Sequence, residues 1–112
     1  MSVRMKKAWQ ELTAANVAAL GGELGIYQIA DEKEHVLRIG FAGGRSLFGL
    51  RGELLKALEE YRGGRTLFRV EINCQYMSRY EELLMVHMAD YGSLPAGNAS
   101  EGNRKIGRLS IG

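Results

Sequence analysis

Gly25-Ile26-Tyr27-Gln28-Ile29-Ala30-Asp31-Glu32-Lys33-Glu34-His35-Val36-Leu37-Arg38-Ile39-Gly40 decides the fold. Ile26, Gln28 and Ala30 alternate with Tyr27 and Ile29, and Val36 to Ile39 runs back after a charged turn from Asp31 to His35. Two alternating apolar runs joined by a short polar turn predict an antiparallel hairpin. Antiparallel pairing brings Tyr27 and Arg38 into one region, so a phenol and a guanidinium become neighbours through backbone geometry alone.

Downstream of the hairpin, Leu47, Leu50, Leu54 and Leu58 recur at helical spacing, with Tyr61 three residues on. This predicts a helix beginning near Leu50 and ending at Arg62-Gly63-Gly64-Arg65. Leu67 to Cys74 alternates as a third strand. Ser78-Arg79-Tyr80-Glu81 has capping-box spacing and predicts a third helix starting there, which gives Glu81 a structural task. Leu84, Met88 and Tyr91, joined by Leu83 and His87, form its apolar stripe, and Gly92 ends it. Upstream, Ala8, Trp9, Leu12, Val17 and Leu20 predict one helix or two short ones over residues 6–20, closed by Gly21-Gly22. The polar, glycine-rich tail 99–112 carries Ile106, Leu109 and Ile111 at the spacing of a short edge strand.

Composition bounds the class. A chain of 112 residues has room for one domain, here residues 1–98 followed by the tail, and 46% hydrophobic with 25% charged residues is ordinary globular composition. No apolar run approaches the roughly 18 residues needed to cross a bilayer. Neither a membrane span nor a secretory leader is therefore expected, and one cysteine, Cys74, cannot form an internal disulfide. A reducing, cytoplasmic setting is the expectation. The net charge of +2 is slight, so distribution matters more. Arg62, Arg65 and Arg69 gather around the Gly63-Gly64 turn, and Arg104, Lys105 and Arg108 lie in the tail. Each group is placed either to touch phosphates or to act as solvated charge.

The tripeptides Gly25-Ile26-Tyr27 and Arg38-Ile39-Gly40 resemble the pair that gives the GIY-YIG nuclease superfamily its name, with arginine where the second tripeptide carries tyrosine. The resemblance covers residues 25–98. It continues through Arg51 in Leu47-Phe48-Gly49-Leu50-Arg51, Glu82 in Glu82-Leu83-Leu84-Met85-Val86, and Pro95-Ala96-Gly97-Asn98, although the loop before Arg51 and the stretch before Pro95 are longer than the common form. It implies an α+β domain with a three-stranded, mainly antiparallel sheet flanked by helices, the N-terminal helix being extra. It also implies a metal-dependent endonuclease acting on DNA phosphodiesters. In that scheme Tyr27 handles the attacking water, Arg51 stabilises phosphate charge, and Glu82 holds Mg2+ or Mn2+ as the sole protein ligand. Arg38, in the place of the second tyrosine, would join the catalytic group by contacting the scissile phosphate, and Asn98 would tie the last loop to the site beside the nucleic acid; Arg65, from the basic cluster rather than the resemblance, is a further nucleic-acid contact.

The chemistry is coherent where the pattern is complete, because a phenol needs a nearby metal or arginine to work as a base at neutral pH, and a lone carboxylate suits a magnesium ion that keeps most of its waters. Arginine, however, never accepts a proton, so Arg38 cannot take over a tyrosine hydroxyl's role. The histidine or tyrosine common near the second helix of that superfamily has no convincing counterpart, with Tyr61 and His35 as spare candidates. A degenerate member that binds nucleic acid or a protein without cleavage is the alternative, and a homodimer joined through the tail strand is a third. Cys74 and His87 read as a buried cysteine and a packed histidine rather than a catalytic pair, and Met85 and Met88 as core.

Overall fold

The hairpin forms where its turn chemistry places it. In the computed structural model, which describes residues 5, 7–44, 48–61 and 65–98, the Asp31 carboxylate accepts the backbone N–H groups of Lys33 and His35, each at 2.9 Å. Asp31 N–H donates to the His35 carbonyl at 3.0 Å, and Glu34 takes a left-handed conformation at φ 67° to close the turn. On either side run β2 (Gly25–Asp31) and β3 (Val36–Ala42), paired antiparallel with Tyr27 opposite Gly40 and Ile29 opposite Arg38.

The chain then forms α2 (Gly49–Glu60), β4 (Thr66–Ile72) and α3 (Tyr76–Tyr91). β4 pairs antiparallel with β2, which becomes the central strand with all but its last residue buried. Consecutive strand residues point to opposite faces, and each face receives its own helix layer. On one, Tyr27, Ile29 and Phe68 pack with Leu50, Leu54 and Ala57 of α2. On the other, Ile26 and Ile39 pack with Tyr80, Leu83 and Leu84 of α3. The helix-spaced leucines are thus core, and α3 stops at Gly92, which caps it in the left-handed conformation.

Four expectations need correction. Among the described residues the sheet has four antiparallel strands rather than three, in the order β1 (Gln10–Glu11), β4, β2, β3. The extra strand, β1 (Gln10–Glu11), pairs with Leu67 and Phe68 of β4 and lies inside the segment expected to be the N-terminal helix. Among the described residues of that segment only α1 (Ala14–Ala18) is helical; the Thr13 hydroxyl accepts the Asn16 N–H at 3.2 Å and starts that helix after the strand. The segment divides because its apolar residues serve both sides of the sheet, Met5 packing with the α3 layer and Leu12 and Val17 with the α2 layer.

Second, α3 begins at Tyr76, two residues before Ser78, and the Ser78–Glu81 capping box does not form. Tertiary packing overrides it: Tyr76 stacks on Phe41 with ring centroids 5.6 Å apart, and its hydroxyl accepts the Gly44 N–H at 3.1 Å. Third, Cys74 is exposed rather than buried. Fourth, Met85 is 61% exposed and is not core. The tail strand expected at 106–111 lies outside the described residues. Among the described residues no helix is long and apolar enough to cross a membrane.

Candidate functional site

Both glycines of the paired tripeptides have packing reasons. A Cβ on Gly25 would lie 2.1 Å from the Glu71 carbonyl oxygen, so the backbones of β2 and β4 approach there as only glycine allows. A Cβ on Gly40 would lie 2.2 Å from Cζ of Tyr27 and 2.3 Å from its hydroxyl oxygen. The Tyr27 ring therefore lies across Gly40, and the tyrosine is 4% exposed within the core formed with α2.

Arg38 shares this face, since its strand partner Ile29 packs in the same core. It is half-buried and directed toward the turn that holds Gly97: one guanidinium nitrogen is 3.5 Å from the Gly97 carbonyl and 4.0 Å from a Glu60 carboxylate oxygen. Its acidic neighbour is thus Glu60 at the end of α2, not Asp31 or Glu34 of the turn. Arg51 is exposed in the first turn of α2, its backbone N–H bonded to the Gly21 carbonyl at 3.2 Å. Tyr61 packs against the α2-side core, whereas His35 stays exposed in the hairpin turn, 3.5 Å from Asp31. Arg65 is exposed at the start of β4.

Glu82 stands elsewhere. Tyr80, Leu83 and Leu84 point α3 toward the opposite face of the sheet, and two residues beyond Tyr80 is about 200° around a helix, so Glu82 faces away from the sheet. Its carboxylate accepts a hydrogen bond from Arg79 and its side chain is 44% exposed. Arg79 is at the same time forked onto Glu71, with contacts of 2.9 and 3.1 Å. Burial works against ionisation of Glu71, but the hydrogen bonds from Arg79 and Asn73 outweigh it and hold the carboxyl below the usual glutamate value. The surface beside Glu82 is a shallow groove bordered by Ser78, Glu81, Met85 and Ala89. Tyr27 and Arg38 thus share the α2 face, Arg51 sits in the helix covering that face, and Glu82 belongs to the outer surface of the other layer.

Asn98 does structural work. Fully buried in the 3-10 turn Ala96–Asn98, its carboxamide oxygen accepts the Ile39 N–H at 2.7 Å and its nitrogen donates to the Ile39 carbonyl at 2.8 Å. It behaves as a one-residue continuation of the sheet along the outer edge of β3.

A magnesium site of the expected kind needs a carboxylate facing the phenol and a phosphate between them. The donors present do not fit that arrangement, because the Glu82 carboxylate is engaged by Arg79 on the surface remote from Tyr27. Among the described residues no trio of histidine, cysteine, aspartate or glutamate is placed to hold a metal ion.

These features define a small α+β domain with a four-stranded antiparallel sheet between two helix layers. The chain belongs to the family described as domain of unknown function DUF7508, whose model matches residues 1–90. No curated protein and no solved structure matches it.

Proposed function

We propose that this chain is a binding module of GIY-YIG-like fold that engages nucleic acid without cleaving it. The observation that carries the reading is the division of the expected machinery between two faces of the sheet, with Tyr27 packed in the α2-side core and Glu82 tied to Arg79 on the outside of α3. A phenol in the core and a carboxylate on the far helix cannot act on one phosphodiester.

Exposed cations support nucleic acid as the partner: Arg51 in the first turn of α2 and Arg65 at the start of β4 both stand in solvent. Such groups bind phosphate without base readout. Few contacts make binding weak and steeply salt-dependent: three phosphates give a roughly forty-fold loss of affinity between 50 and 200 mM salt.

Fluorescence anisotropy of labelled duplex and branched DNA across that salt range, run beside plasmid nicking with magnesium or manganese, tests the reading. Salt-sensitive binding without nicking is expected. A salt-independent signal removes nucleic acid as the partner, and nicking abolished by Glu82→Ala restores the nuclease.

A further inference from the structure

On the α3 face of the sheet lies a cleft of 170 Å³ unrelated to the expected nuclease residues, walled by Gln28, Arg69, Val36, Leu83, Val86 and His87. Its polar end is organised. Arg69 Nε donates to Gln28 Oε1 at 2.7 Å, one terminal nitrogen donates to the Lys7 carbonyl at 3.1 Å, and the guanidinium lies 4.0 Å from the centroid of the Trp9 ring. Two of five N–H donors are spent on holding the plane, and the other three have no acceptor among the described residues. A guanidinium fixed in this way has lost its side-chain entropy before a ligand arrives, which favours two-point capture of an oxyanion.

The remainder of the cleft is apolar where it meets the core: Leu83 and Met5 are buried there, beside Val36 and Val86. At the other end His87 and Tyr91 pack with ring centroids 4.6 Å apart, and His87 Nδ1 lies 2.9 Å from the Ser93 carbonyl, which fixes the ring. A closed apolar cavity of about 150 Å³ holds benzene, so this volume suits one ring or a short aliphatic body. Asp90 lines the cleft and the Glu34 carboxylate acts electrostatically on Arg69, and these negative charges disfavour a doubly charged ligand.

We propose that this cleft binds a small organic monoanion, a carboxylate on a single-ring or short aliphatic body, with Arg69 holding the carboxylate and Val36, Leu83 and Val86 receiving the apolar part. The site is independent of nucleic-acid binding and survives the failure of that reading.

Trp9 is the only tryptophan and stacks on the guanidinium that receives the ligand, so its emission reports occupancy. Phenylacetate titrated into the full chain is expected to shift that emission saturably below about 10 mM, the range of a weak small-fragment site. 2-Phenylethanol, which lacks the charge, and phenyl phosphate, which carries nearly two, should each bind at least about tenfold more weakly. Arg69→Gln should abolish the response with the fold retained by circular dichroism. Val86→Phe, which fills the cleft and leaves Arg69 in place, should abolish it too. No saturable shift with phenylacetate, equal binding of 2-phenylethanol or phenyl phosphate, or full binding by a folded Arg69→Gln or Val86→Phe variant would each overturn the assignment.

Discussion

The side chain of Asn98 occupies both outward-facing backbone groups of Ile39, 59 residues earlier, with bonds of 2.7 and 2.8 Å. An edge strand ordinarily offers such groups to any passing chain; here a buried carboxamide satisfies them and fastens the last described turn to the hairpin. The Asn98 nitrogen also lies 3.5 Å from the Tyr80 hydroxyl, so the same side chain links β3 to α3.

Asn98→Ala removes both partners of Ile39 at a buried position. With each orphaned backbone group costing about 1–3 kcal/mol, the variant should lose about 3 kcal/mol. Urea unfolding should show a lower midpoint with an unchanged slope. An unchanged midpoint would mean that water reaches this edge.

Gly40 and Tyr27 form a second coupled pair, since an added Cβ would collide with the phenol ring. Gly40→Ala should cost about 1–3 kcal/mol through overpacking. Combining it with Tyr27→Leu should recover part of that loss, and a double-mutant cycle should return a coupling of at least about 0.5 kcal/mol. Additive losses would contradict the ring's placement over Gly40.

The hairpin and α2 were legible in the sequence because local rules and tertiary packing agree there. Asp31 closes the turn with its own side chain, and Leu50 and Leu54 repeat at the period that buries them. Where the two levels disagree, the sequence misleads. Ser78 and Glu81 have capping spacing, yet α3 starts two residues earlier at Tyr76, whose ring stacks on Phe41. The two residues of β1 exist only through their register with Phe68 and Leu67, which no local pattern encodes. Thr13 and Asn16 held the one readable sign that a helix starts after residue 12. For the site, the tripeptides give Tyr27 and Arg38 a common face, as strand pairing requires. The side of α3 that carries Glu82 depends on which residues reach the core: the stripe of Tyr80, Leu83 and Leu84 turns Glu82 outward. Arg69 was grouped with exposed cations near the Gly63-Gly64 turn, whereas strand alternation places it beside Gln28 on the α3 face.

The Glu71–Arg79 pair sets an acid limit on stability. Because Glu71 has a folded-state pKa below its unfolded one, its contribution is complete above the ordinary glutamate value of roughly 4.3 and is lost as pH falls through the lower folded value. Glu71→Gln should therefore be less stable than wild type at pH 7, and the two unfolding curves should converge on acidification. Curves that stay parallel from pH 7 to pH 2 would place the pair outside the folding equilibrium.

Phe48 precedes α2 in the left-handed region at φ 66°, 68% exposed, where a bulky side chain is strained and gains little from burial. Phe48→Gly should raise stability by about 1 kcal/mol. Thermal unfolding reads the gain, and a lower melting temperature would show that the phenyl ring makes contacts that outweigh the strain.

The division of Tyr27 and Glu82 between two faces is tested most directly by manganese titration of the isotope-labelled chain, read as paramagnetic broadening. Any ion gathered near Glu82 should broaden neighbours on the outer surface of α3, such as Ser78 and Met85, and leave Tyr27 and Arg51 sharp. Simultaneous broadening of Tyr27, Arg51 and Glu82 at one saturable site would contradict it.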